Sequence, residues 1–125
     1  MLENFVSNEN NSEKINSENL RKNVEEIFQI MGENRTDSEI AADALILADL
    51  RGVESHGISN MLRIYIQGYR NEEIKPQAKL STIKDNLATC SVDGDRGLGI
   101  ITTPKAMDIA IEKARKYGLV FGVDY

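Results

Sequence analysis

One histidine, one cysteine and no tryptophan leave this 125-residue chain short of the side chains that carry most metal and thiol chemistry. The solitary Cys90 excludes an intramolecular disulfide and fits a reducing cytoplasm. A single imidazole and a single thiol, with no tight carboxylate cluster beside them, cannot furnish the usual zinc ligand set. No apolar run approaches the roughly 18–20 residues needed to cross a bilayer, so no membrane partner is expected. The opening Met1-Leu2-Glu3-Asn4 has neither the basic nor the apolar region of a signal peptide. Basic residues are outnumbered 15 to 20, giving a net charge of -5, which argues against a nucleic-acid partner. A soluble cytoplasmic protein is the expectation, forming one domain or part of one.

Helical periodicity dominates what is present. The polar stretch 1–15 buries almost nothing and reads as a disordered lead-in. A first helix opens at Asn16 or Ser17, carries Leu20, Val24, Ile27, Phe28 and Met31 at helical spacing, and stops at Gly32. A second opens at Thr36, where Thr36-Asp37-Ser38-Glu39 fits a capping box. Its expected stripe is Ile40, Ala41, Ala44, Leu45, Leu47 and Ala48, ending near Arg51-Gly52. The third starts at Ser55-His56-Gly57 with an inner face of Ile58, Leu62, Tyr65 and Tyr69, and frays by Asn71. Pro76 then enforces extended chain just before it. Strands are expected over 79–83 and 88–92, followed by the turn Asp93-Gly94-Asp95-Arg96-Gly97-Leu98-Gly99. Thr103 would cap a fourth helix with Pro104 in its first position, burying Met107, Ala110, Ile111, Ala114 and Tyr117 before Gly118. Leu119 to Val123 reads as the start of a buried strand. A core strand there with no partner after it suggests a fragment, or a reading frame ended early.

The only histidine carries the strongest chemical signal. With Ser55 as N-cap, His56 falls in the first helical turn, and Asn60 and Arg63 share its face four and seven residues on. Free N–H groups and the dipole at that end favour an anion. An imidazole there can give or take a proton near pH 7, and an amide and a guanidinium can hold a carboxylate. The plainer reading makes Ser55 only a cap and His56 a surface residue. The glycine spacing over 94–99 fails the G-x-G-x-x-G pattern and suits a tight turn. No G-x-S-x-G elbow is present, and adjacent residues seldom present nucleophile and base to each other, so a serine hydrolase is a weaker reading.

The run Ala48-Asp49-Leu50-Arg51-Gly52-Val53-Glu54-Ser55-His56-Gly57-Ile58-Ser59 resembles the N-terminal region of the malate/L-lactate dehydrogenase family that lacks a Rossmann fold. Gly68 to Pro76, the turn 93–99 and Ala106 to Gly118 extend the likeness in unbroken order from about residue 20 onward. The resemblance implies an α+β fold: a helical subdomain over 16–75 carrying the Ser-His-Gly motif, then the truncated start of a non-Rossmann NAD(P)-binding domain over 76–125. It implies an oxidoreductase, a homodimer in its parent form, that moves a hydride between NAD or NADP and a small 2-hydroxy or 2-oxo acid. Its catalytic pair would be His56, as proton donor, and Ser55, as relay, working with a later aspartate. Many relatives carry a carboxylate-gripping arginine four residues after the histidine. Asn60 stands there in this chain, so Asn60 and Arg63 are the expected substrate-binding residues, with Arg63 supplying the cation. The family's dinucleotide segment begins just after the strand at which this chain closes, so the 125 residues alone are expected to be inactive. The rival reading is a small non-enzymatic helical interaction module. In either enzymatic case the imidazole is expected to face a pocket.

Overall fold

The computed structural model describes residues 13–124; most of the lead-in assigned to 1–15 lies outside the described residues. The chain divides into two compact units, Met1–Asn71 and Glu72–Tyr125. Among the described residues no helix is long and apolar enough to cross a membrane.

The first unit is helical. Helix α1 spans Ser17–Ile30, and the Asn16 side chain caps it by accepting from Asn19 N at 3.0 Å, a contact worth about 1 kcal/mol. It ends in a Schellman turn: Gly32 N–H donates to Gln29 O and Glu33 N–H to Phe28 O, with Gly32 at φ 104°. Helix α2 spans Arg35–Leu50, beginning just before the expected Thr36. Its cap is Asn34, not Thr36. Asn34 Oδ1 accepts from Asp37 N at 3.0 Å while Asn34 Nδ2 donates to Asp37 Oδ2 at 2.8 Å. The short carboxylate of Asp37, buried beside that turn, returns the bond that Glu39 was expected to make.

Helices α1 and α2 pack against each other. Val24 and Phe28 from α1 and Ala41, Ala42, Leu45 and Ile46 from α2 form the buried core. The α2 stripe is therefore rotated from the expected one: Leu47 is 45% exposed. Buried Ser38, at the same spacing, belongs to that face and donates its hydroxyl to Asn34 O at 2.8 Å. Helix α3, Arg63–Arg70, closes this unit. Its Tyr69 ring meets Phe28 edge-on at 6.5 Å, and its hydroxyl donates to the buried Glu33 carboxylate at 2.6 Å. Burial chiefly, then that bond to Glu33, pushes the Tyr69 phenol well above its ordinary range.

The second unit holds a three-stranded sheet in the order β1-β2-β3, with β1 Ser81–Asp85, β2 Thr89–Asp93 and β3 Phe121–Asp124. Strands β1 and β2 form an antiparallel hairpin, and β2 pairs in parallel with β3. Helix α4, Gly99–Tyr117, is the crossover that a parallel pair requires. Strand β1 begins two residues later than expected and is exposed throughout, whereas Cys90 and Val92 of β2 point into the core.

Helix α4 starts earlier than its proline suggested. Leu98 is the N-cap, and Pro104 lies inside the helix. Buried Leu98, Ile101 and Thr102 anchor the first turn. Gly97 permits this, because a Cβ there would lie 2.6 Å from the Ala78 methyl. The expected stripe is displaced accordingly, leaving Met107 55% and Ile111 42% exposed. Strand β3 exists where a strand was expected, but it is not buried: Phe121 is 69% exposed. Its one neighbour among the described strands is β2, so one edge of β3 has no strand against it.

Candidate functional site

The segment from Asp49 to Leu62 is built from the end of α2. Gly52, at φ 72°, stands just past the helix. Its N–H donates to Asp49 O at 3.0 Å, and Val53 N–H donates to Ala48 O at 2.9 Å, a second Schellman turn. The chain then makes a 3-10 turn over Glu54–His56, passes through extended backbone at Gly57, and enters a π turn over Ile58–Leu62 that runs into α3. The single α-helix expected from Ser55 is thus replaced by three different windings. A π turn takes more residues per turn than an α-helix and a 3-10 turn fewer, so spacings of four and seven no longer select one face.

Ser55 is not a cap. Its hydroxyl instead meets His56 Nδ1 at 2.9 Å, and the helix-entry N–H of Ile58 is taken by Asp49 Oδ2 at 3.0 Å. One of the N–H groups that this helix end offers to an anion is therefore taken by a carboxylate of the chain itself. Gly57 is required for this arrangement: a Cβ added to it would sit inside the Asp49 carboxylate. The sequence reading missed Asp49, whose distance of nine residues from its partner matches no local capping pattern.

Asn60, half-buried, donates its amide to Glu54 O at 2.9 Å and so braces the 3-10 turn that carries Ser55 and His56. Arg63 lines a separate groove with Ile66, Gln67, Arg70 and Asn71. Of the four residues singled out in the sequence, the structure joins Ser55 to His56, ties Asn60 to Glu54 O of their turn, and places Arg63 in the groove it lines with Arg70.

His56 is exposed, not sunk in a pocket. The reason is its place on a short turn projecting past the end of α2, with Gly57 buried behind it. With Nδ1 engaged by the serine, Nε2 is the ring nitrogen open to an incoming group. Serine oxygen both donates and accepts, so the pair serves either imidazole tautomer.

No group of three or more potential metal ligands occurs among the described residues. Among the described residues, the glycine turn before α4 does not fit a dinucleotide pyrophosphate. That turn is the natural place for a pyrophosphate, yet the space at Gly97 is filled by the Thr102 methyl and Ala78, and Ile101 and Thr102 of the first turn of α4 are buried. The turn is held from within. Asp95, at φ 53°, accepts from Lys75 Nζ at 2.5 Å and from Lys79 N at 3.1 Å. The bond from Lys75 draws its carboxyl below the ordinary range. A recess of about 180 Å³ between α4 and the sheet is apolar, lined by Cys90, Val92, Ala106, Met107 and Ala110 among others.

Comparison with known proteins gives a consistent result. The family described as malate/L-lactate dehydrogenase matches residues 15–123. The chain is 38% identical to the malate dehydrogenase of Pyrococcus abyssi over 106 residues, covering 85% of this chain and 29% of that protein. It is 36% identical to the L-sulfolactate dehydrogenase of Methanocaldococcus jannaschii, covering 82% and 29% respectively. Among solved structures, malate dehydrogenase from Pyrococcus horikoshii superposes with a TM-score of 0.87 at 30% identity, over 95% of this chain and 34% of that one. The chain spans about 29% of the curated relatives' length.

Proposed function

The chain belongs to the malate/L-lactate dehydrogenase family, and from that premise we propose that its Ser55–His56 pair is the proton-transfer element of a 2-hydroxy acid oxidoreductase. The observation that carries the reading is the 2.9 Å contact between Ser55 Oγ and His56 Nδ1, on a turn that leaves the rest of the ring open. In this reading His56 Nε2 takes the proton from the substrate hydroxyl on oxidation and returns it to the 2-oxo oxygen on reduction. Ser55 holds the ring in orientation and follows its change of charge through Nδ1. Arg63, from the neighbouring groove it lines, is the cation proposed for the substrate carboxylate, and Asn60 braces the pair.

The hydride partner in the proposed reaction is NAD or NADP. The described residues offer no cradle for it, and none is assigned to them. A homodimer, as the resemblance implies, is the proposed assembly. Malate, L-sulfolactate and related small acids are the substrate candidates, from the relatives' names.

A chimera tests this reading. Residues 15–123 replace the matching segment of the Pyrococcus abyssi malate dehydrogenase, and malate-dependent nicotinamide reduction is followed. Activity that falls at least about a hundredfold on His56→Ala with folding intact supports it; a chimera that keeps full turnover without the imidazole refutes it. A second reading, a helical interaction module, is favoured by Leu47, Leu50 and Val53, which are 45%, 66% and 45% exposed along and just past the end of α2. Under that reading, His56→Ala costs partner binding and no turnover.

A further inference from the structure

The strongest unassigned feature of the first unit is the carboxylate of Asp49. It lies half-buried at the end of α2, nine residues before the N–H it accepts from. Two tethers from the same helix end fix the intervening chain. On one side, Val53 N–H is held by Ala48 O. On the other, Ile58 N–H is held by Asp49 Oδ2, and Gly57 lies flat against that carboxylate. Between the tethers stand Glu54, Ser55 and His56, whose turn is closed by His56 N–H to Val53 O at 3.0 Å and Gly57 N–H to Glu54 O at 3.2 Å. Neither Ser55 nor His56 is packed into the core, so burial does not orient them. Their geometry comes from the tethers, together with the brace of Asn60 on Glu54 O.

We infer that Asp49 is a positioning residue for the Ser55–His56 pair: by accepting from Ile58 N–H across Gly57, it sets the backbone that holds the imidazole against the serine hydroxyl. This rests on the proton-transfer reading of that pair. Asp49 touches neither imidazole nor substrate, and acts through the two residues that follow His56. Gly57 belongs to the same device, since any larger residue displaces the carboxylate. The sequence Asp49 to Ile58 is thus one mechanical unit, in which the aspartate and the glycine are as necessary as the pair they carry.

The test uses the full 125-residue chain, labelled with ¹⁵N, and reads the imidazole nitrogens and the Ile58 amide directly. In the parent chain the serine contact at Nδ1 sets the Nδ1 and Nε2 shifts apart from those of histidine in a short peptide. Asp49→Ala is expected to move both toward the values of histidine in a short peptide and to speed Ile58 amide exchange at least about tenfold. Asp49→Asn, which keeps a short acceptor, restores both. Gly57→Ala displaces the carboxylate while leaving Asp49 in place, and gives the Asp49→Ala signature should that variant fail to fold. Accelerated Ile58 exchange with unmoved imidazole shifts, in either variant, overturns the inference. Adding malate to the chimera separately tests the reading beneath it. An imidazole that never responds to malate counts against the substrate assignment and leaves the positioning role standing.

Discussion

Replacing Gly57 by alanine puts a number on the contact that organises the site. The backbone there, φ -88° and ψ -171°, is one that alanine adopts without strain. Alanine also restricts the unfolded chain, which by itself stabilises by about 0.4–1 kcal/mol. Opposing this, the new methyl would occupy the space of the Asp49 carboxylate, which must swing away and release Ile58 N–H. A hydrogen bond to a charged group is worth about 1.5–3 kcal/mol. The loss wins, and Gly57→Ala should destabilise by about 1–2 kcal/mol, or roughly 4–8 °C in Tm for each kcal/mol in a domain of this size. The sign reverses once the carboxylate is gone: in an Asp49→Ala background the same substitution should stabilise by about 0.4–1 kcal/mol. Urea unfolding followed by circular dichroism on the four proteins gives the coupling, expected near 2 kcal/mol. Equal effects of Gly57→Ala in both backgrounds would show that glycine is not there to admit the aspartate.

Further outcomes follow from the same geometry. Tyr69→Phe keeps the ring against Phe28 but removes the 2.6 Å bond to Glu33; urea unfolding should show a loss of about 2 kcal/mol. Because the folded state holds the Tyr69 proton above the ordinary phenol value of 10.0, the unfolded chain loses that proton first as pH rises. Stability is then full below pH 10 and declines beyond it, and Tyr69→Phe should remove that part of the alkaline slope. In the chimera, Arg63→Ala should raise KM for malate about tenfold with kcat little changed, the mark of lost ground-state binding; an unchanged KM removes Arg63 from the substrate site. NADH titrated into the 125-residue chain should give no saturable change in nicotinamide fluorescence, and tight saturation would show that these residues do hold a dinucleotide.

Periodicity located α1, α2, α4 and the later part of the third expected helix, and Gly32 and Gly118 marked two ends, because apolar spacing and left-handed glycines are local signals. The strands of the hairpin were legible to within two residues for the same reason. What escaped was set by distant partners. Asn34 displaced Thr36 as cap because a buried Asp37 returns its bond. Pro104 looked like a helix start, but the packing of Thr102 against Gly97 draws α4 inward by more than a turn. At the site, Ser55 and His56 were found by chemistry and joined by the fold. Their supposed alignment with Arg63 assumed one regular helix, and the 3-10 and π windings between residues 54 and 62 remove that assumption. Asp49 was hidden because its partner is nine residues away.

The tether that closes between Asp49 and Ile58 also makes the serine–histidine element portable. A loop this short costs little entropy to close, and contacts of such low separation form early when a chain folds. Every bond that orients the pair is supplied by one helix end and the ten residues from Asp49 to Ile58, apart from the brace of Asn60. Transplanted as a cassette onto the C-terminus of an unrelated helix, that decapeptide should bring its imidazole geometry with it.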